Sequence, residues 1–209
     1  MGRHERQRGR HMEGEMRPDA EAATVDSPGE HVDPAEQLIR DGAHREAATC
    51  CARTHGAVLG RLCMALLGRQ ADAEEALQET LLQAYRAMPG YRAEGTVRAW
   101  LFGIARRVCA RRLEARVQGA RRLQLVHDAD RPAALPDALV EAAHRAATVR
   151  GALERLTPTE REAVLLRYEA DLSFREVGLA CGIDEATARK RCSRGLDRLR
   201  SILIEEEAP

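Results

Sequence analysis

Six basic side chains against three acidic ones lie between Asp184 and Arg200. Arg189, Lys190, Arg191 and Arg194 fall there, beside Thr187, on what reads as one helix. Ammonium and guanidinium groups hold phosphates, and a guanidinium also matches paired acceptors on a base edge. A second concentration of charge runs from Arg86 to Arg122, with ten arginines against Glu94 and Glu114. Arg98, Arg106, Arg107 and Arg111 belong to it, and a stripe this basic is an electrostatic footprint for nucleic acid. Just before it the sign reverses. Asp72–Glu79 holds four acidic residues and no basic one. Glu75, Gln78 and Glu79 on that segment suit a protein partner with a basic face. Each feature has a plainer source: acids gather in first helical turns, and a basic helix face is often merely solvated. Adjacent patches of opposite sign, in a chain with 33 basic and 33 acidic residues, point instead to two different partners.

Other chemistries are excluded. The seven histidines are scattered, and no nucleophile–base set, phosphate-binding loop or metal motif occurs, so neither enzyme activity nor a cofactor nor a metal is expected. Cys50, Cys51, Cys63, Cys109, Cys181 and Cys192 form no Cys-x-x-Cys pair. Reduced, small apolar fillers are the expected role. Cys50-Cys51 lies near His44 and His55, at a spacing that fits no usual zinc site. No segment approaches the ~20 apolar residues of a membrane span. Residues 1–20 lack the apolar stretch of a secretory leader. A cytoplasmic location without direct membrane insertion is the expectation.

Aromatic residues make up 3% and charged residues 32% of the chain. Its Ala, Leu, Arg and Glu content favours helix over strand. The expected fold is all-α: two small helical domains joined by a linker, the C-terminal one a helix-turn-helix. Residues 1–33 read as a disordered tail. The first domain spans 34–118. Asp33 and Pro34 suit a helix start. An apolar stripe through Val58, Leu59, Leu62, Cys63, Leu66 and Leu67 ends at Gly68. Asp72 is expected to cap the next helix, with Leu77, Leu81, Leu82 and Tyr85 as its buried face. After Pro89-Gly90, a helix from near Thr96 carries Val97, Trp100, Leu101, Ile104 and Val108. Residues 119–137, with Gly119, Pro132 and Pro136, read as the linker, and 138–205 as the second domain. There Thr157-Pro158-Thr159-Glu160 and Ser173-Phe174-Arg175-Glu176 are capping boxes. Cys181-Gly182-Ile183 makes a tight turn, Asp184 caps the last helix, and Ala188, Cys192, Leu196, Leu199 and Leu203 face inward. A short helix, a Gly turn and a longer helix make a helix-turn-helix.

These residues resemble a known family. Asp72-Ala73-Glu74-Glu75-Ala76-Leu77-Gln78-Glu79-Thr80-Leu81 and Arg98-Ala99-Trp100-Leu101-Phe102-Gly103-Ile104-Ala105-Arg106 look like region 2 of the extracytoplasmic-function (ECF) sigma factors. Leu156–Ala163, Leu172–Val177, Cys181-Gly182-Ile183 and Ala186–Arg191 resemble region 4 of the same family. The resemblance covers roughly residues 36–117 and 138–203. It implies that Glu75, Gln78 and Glu79 grip the β′ clamp helices of RNA polymerase core. It implies that Arg98, Arg106, Arg107 and Arg111 lie on the helix that recognises and opens the minus-ten promoter element. Thr187, Arg189, Lys190, Arg191 and Arg194 would read the minus-thirty-five element, and region 4 would also touch the β flap. Catalysis would remain with the polymerase, and an anti-sigma factor would be a further partner. The sequence departs from the family at Arg107 and Arg111, where Asn and Asp are common, and at Ala186, where Gly is. An amide reads a base edge, whereas arginine more often holds phosphate. Two other readings stay open on the residues alone: a helix-turn-helix regulator that needs no polymerase, and a sigma-like protein that sequesters an anti-sigma factor without initiating.

Overall fold

Asp33 opens the first helix, as its sequence suggests. Its carboxylate accepts from the Ala35 amide at 2.9 Å, and Pro34 takes the first helical position of α1 (Pro34–Arg40). The structure, a computed structural model of the chain, describes residues 33–122 and 147–207, all within one compact unit, Val32–Pro209. The expected tail up to residue 32, most of the expected linker and residues 138–146 lie outside the described residues.

The described residues are helical apart from turns and short loops. Gly42, at φ 74°, breaks the chain after α1, and α2 follows (His44–Leu67). Gly68, at φ 75°, ends it. Helix α3 (Gln70–Ala87) begins before Asp72, which therefore sits in the first turn rather than at the cap. A 3-10 turn at Met88–Gly90 follows, then α4 (Val97–Arg122). This helix runs past Gly119, where the sequence pattern predicts a break. Ala120, Arg121 and Arg122, all favourable in helices, carry it three residues further.

Residues 147–154 are helical (α5). Helices α6 (Pro158–Tyr168), α7 (Phe174–Cys181) and α8 (Glu185–Glu207) complete the fold. Both capping boxes are present. Thr157 and Glu160 exchange side-chain and backbone bonds at the start of α6, and Ser173 and Glu176 do the same for α7. Gly182, at φ 69°, closes α7, and the Ile183 amide reaches back to the Gly178 carbonyl at 2.9 Å. Asp184 then caps α8.

The core of the first block gathers Leu59, Leu62, Leu101, Phe102 and Val108, all fully buried. Each such side chain contributes about 1.5–3 kcal/mol on burial. Helix α3 differs from its expected orientation. Ala73, Ala76, Thr80 and Ala84 face inward, whereas Leu82 and Tyr85 are exposed. The reason is close packing. Small residues let α3 lie tightly on α2; of the expected face, Leu77 and Leu81 are half-buried against the core, and only Leu82 and Tyr85 are turned outward. Trp100 packs against the core edge beside Tyr91, with ring centroids 5.1 Å apart.

In the second block Ala188, Cys192, Gly195 and Ile202 form the buried line of α8, with Leu196, Leu199 and Leu203 half-buried. Gly195 permits the crossing of α6 and α8. A Cβ there would stand 2.6 Å from Val164.

Candidate functional site

Helix α8 begins with a tightly satisfied cap. The Thr187 amide and hydroxyl both donate to Asp184, each at 2.7 Å. They hold that carboxyl below its usual range. The Thr187 hydroxyl is therefore engaged locally. Arg189 pairs with Glu185 at 2.8 Å and lies over the Phe174 ring at 4.4 Å. This cation–π contact fixes its guanidinium beside the start of α7. Arg191 is half-buried. Lys190 and Arg194 are exposed and make no ion pair among the described residues. The predicted set is thus one cluster on one helix face and its flanks, but its members differ. Lys190 and Arg194 are the exposed cations without an ion pair among the described residues, Arg191 is half-buried and likewise unpaired there, and Thr187 and Arg189 are pre-engaged.

The acidic residues of α3 do not stand alone either. Arg112 of α4 bonds Glu75 at 2.8 Å and Glu79 at 2.9 Å, and Arg111 reaches Glu79 at 3.2 Å. One turn on, Arg116 donates to the Leu67 carbonyl and lies 3.9 Å from Asp72. This zipper of carboxylates and guanidiniums joins α3 to the second half of α4. The bond from Arg112, with help from Arg111, holds the Glu79 carboxyl below its ordinary value. Gln78 is exposed on the same helix. The site predicted from sequence does not include Arg112 and Arg116. The legible signal is their four-residue spacing, which puts both on one face of α4 as the three- and four-residue spacings of Asp72, Glu75 and Glu79 put those on one face of α3.

A lowered carboxyl contributes stability above its unfolded-state value and loses it as pH falls. Acidification through the carboxylate range should therefore loosen the zipper. In Arg112→Ala the Glu79 carboxyl should titrate closer to an unperturbed glutamate, about 4.3. A carbon-detected NMR titration of side-chain carboxyls checks this; an unmoved Glu79 would remove Arg112 as the cause.

The four arginines expected to act together on α4 are separated by the structure. Arg111 belongs to the zipper. Arg98 donates to the Ala170 carbonyl, and Arg106 bonds the Ala180 carbonyl at 3.3 Å and Glu162 at 3.1 Å. Arg107 is exposed and lines a cavity of about 300 Å³ with Tyr91, Gly95 and Trp100. Partial desolvation against the cavity wall, then the like charges of Arg106 and Arg111, lower its pKa from the ordinary value even though the side chain reaches solvent. Arginine nevertheless stays protonated, so Arg107 remains a cation at the cavity wall.

No group of His, Cys, Asp and Glu able to hold a metal occurs among the described residues. No helix there is long and apolar enough to cross a membrane.

Comparison with known proteins bears on both blocks. The family profile described as Sigma-70 region 2 matches residues 51–118, and that described as Sigma-70, region 4 matches residues 147–199. The ECF RNA polymerase sigma factor SigC of Mycobacterium tuberculosis is 35% identical over 142 residues, covering 65% of this chain and 72% of SigC. The ECF RNA polymerase sigma factor SigE of Mycolicibacterium smegmatis is 32% identical over 160 residues, covering 75% of this chain but 61% of SigE. Among solved structures, CnrH in complex with the cytosolic domain of CnrY shares the fold. Its TM-score is 0.60 at 20% identity, over 83% of this chain and 99% of that one. The Bartonella quintana sigma factor RpoE, in complex with the anti-sigma factor NepR, gives a TM-score of 0.56 at 22% identity, over 72% of this chain and 94% of that one.

Proposed function

The chain belongs to the ECF sigma factors of the sigma-70 family, and from that premise we propose that it binds RNA polymerase core and directs initiation at promoters with minus-ten and minus-thirty-five elements. The observation that carries this reading is the division of labour between two helices. Helix α3 offers an acidic face to a protein, and α8 offers Lys190 and Arg194 to phosphates from a rigidly capped helix-turn-helix. Sigma factors are not enzymes, so the chain positions DNA and opens strands while the polymerase makes RNA.

On this reading Glu75, Gln78 and Glu79 engage the β′ clamp helices. Arg107, with Arg98, Arg106 and Arg111 nearby on α4, serves the minus-ten element. Thr187, Arg189, Lys190, Arg191 and Arg194 serve the minus-thirty-five element, and region 4 also meets the β flap. An anti-sigma factor is a further partner of the proposed system. The chain acts in the cytoplasm, where the polymerase is.

The test is reconstituted transcription. Purified chain and polymerase core from the same organism are run on a fragmented genomic library. Discrete transcripts, absent with core alone, are expected, and their starts give the promoter sequence. Their absence despite tight core binding would refute the initiation reading. Reversing the charge at Glu79 should weaken core binding about tenfold, since it removes an attraction and adds a repulsion at an interface. Unchanged affinity in a fluorescence titration would take α3 out of the polymerase contact.

A further inference from the structure

Phe174, the first residue of α7, has surroundings that the assigned roles leave unexplained. Two guanidiniums stand at its ring. That of Arg167 lies 5.2 Å from the ring centroid and that of Arg189 4.4 Å, both inside the ~6 Å at which a cation is drawn to an aromatic face. They come from different helices, α6 and α8. Each is also braced by a carboxylate four residues away along the chain. Arg167 lies 3.6 Å from Asp171, and Arg189 bonds Glu185 at 2.8 Å. Arg167 donates in addition to the Leu172 carbonyl at 3.1 Å, and Leu172 is fully buried. The ring is therefore seated beside a guanidinium that is itself tied to the core. The capping box of Ser173 and Glu176 holds the same turn of α7 from the other side of the chain.

We propose that Phe174 is a positioning residue for base recognition, holding the Arg189 guanidinium as a rigid reader of one guanine in the minus-thirty-five element. The proposal rests on the proposed sigma function and divides the labour within α8. Its cations are of two kinds. Lys190 and Arg194 are exposed and make no ion pair among the described residues. Such mobile charges suit phosphates, which reward charge at any sequence. Arg189 is different. The Glu185 carboxylate offsets much of its charge and repels a phosphate that approaches it. What Arg189 keeps is direction. One Nη takes Glu185, and the guanidinium makes no other hydrogen bond among the described residues. The remaining donors form part of a planar fork, and guanine offers O6 and N7 side by side in the major groove as its match.

The stack decides how selective that match is. An arginine on a bare helix has several rotamers and turns to whichever acceptor is near, so a wrong base costs it little. Ring and carboxylate remove that freedom before DNA arrives. A fork fixed in place meets a guanine with both donors or leaves them unpaired against another base, and unpaired donors in an interface are costly. Position fits the role. Arg189 lies about one turn into α8, and in a helix-turn-helix the N-terminal residues of the second helix face the base edges. The start of α8 cannot drift relative to Phe174, because Asp184 caps it through Thr187 and the turn before it closes on Gly178. Loosening Arg189 should therefore lower discrimination between bases more than it lowers affinity.

Two variants of the full chain test this. Phe174→Leu keeps apolar bulk and the capping box but removes the ring face, and Phe174→Tyr keeps the face. Holoenzymes assembled with polymerase core from the same organism are titrated against duplexes substituted singly through the minus-thirty-five element, at several salt concentrations. Wild type should prefer guanine at one position by about thirtyfold. Phe174→Leu should lose about tenfold of that preference and leave the other positions unchanged. Its slope of log affinity against log salt should not move, since no phosphate contact is lost. Phe174→Tyr should behave as wild type. A preference is a ratio of affinities for one protein, so a partly unfolded sample does not alter it. Arg189→Ala should lose the same preference, and adding Phe174→Leu to it should lower the preference no further. Equal weakening at every position in Phe174→Leu would mean that the ring only supports the fold. An undiminished guanine preference would mean that Arg189 reads without it. Either result overturns the proposal. A wild-type holoenzyme indifferent to every substitution would sink promoter reading itself. The stack is then still measurable in the chain without core, where the ring should shift the Arg189 side-chain proton signals upfield and Phe174→Leu should abolish the shift. No such shift in wild type would remove the contact on which the proposal stands.

Discussion

Replacing Gly178 with valine should cost the helix-turn-helix about 3 kcal/mol and abolish initiation from two-element promoters. A Cβ at this position would stand 2.8 Å from the Ile183 carbonyl oxygen. That neighbour is backbone and cannot rotate away. It belongs to the turn whose Ile183 amide bonds the Gly178 carbonyl at 2.9 Å, so displacing it breaks the closure of α7. The start of α8 is affected too, because Asp184 follows directly and the same Cβ would lie 3.4 Å from its carbonyl carbon. Urea unfolding followed by circular dichroism measures the destabilisation. Core binding through α3 should persist. A variant as stable as wild type would mean that the turn can widen, and that its tightness does not set the pitch of α8.

Removing the two exposed cations of α8 that make no ion pair among the described residues should have the second large effect. Lys190→Ala with Arg194→Ala should lower promoter affinity of the holoenzyme about thirtyfold, at roughly 1 kcal/mol for each phosphate no longer held. It should also flatten the dependence of log affinity on log salt by about two units, since two condensed counterions are no longer released. Core binding should be unaffected. Arg189→Ala and Arg191→Ala should act in the same direction. For Arg189 part of the effect would come from its stacking on Phe174 rather than from DNA. A filter-binding series across salt concentrations separates these contributions. Equal weakening of core and promoter binding would move α8 out of the DNA interface.

Much of this structure is legible in the residues because local chemistry dictates it. Thr157, Ser173 and Asp184 each satisfy backbone amides within three residues of themselves. Gly182 takes the left-handed turn that only a residue without a side chain adopts freely. Such features need no knowledge of the rest of the chain. What escapes a reading of the sequence is decided at a distance. Apolar size places the inward face of α3 at its largest residues, yet packing against α2 puts alanines and Thr80 innermost, with Leu77 and Leu81 half-buried beside them and Leu82 and Tyr85 outside. Charge density makes the arginines of α4 one DNA-binding set. The structure gives Arg111 to Glu79, Arg98 and Arg106 to region 4, and leaves Arg107 at a cavity wall. A guanidinium carries five donors on a long stem, and its sequence position says little about which acceptor it will find. That choice depends on helix crossings, which are set by small residues such as Gly103 and Gly195 whose importance appears only when the facing backbone is known.

The zipper between α3 and α4 bears on the physiology of such a factor. Its carboxylates are matched by arginines before any partner arrives, so on the proposed reading docking on the polymerase would trade one set of ion pairs for another and displace few mobile ions. Reading promoter phosphates would do the opposite and release counterions with every contact. Occupancy of the polymerase pool would then stay nearly level as cytoplasmic potassium rises and falls under osmotic stress. The choice among weak and strong promoters would shift with it, and the chain would sense the ionic state of the cell through DNA alone.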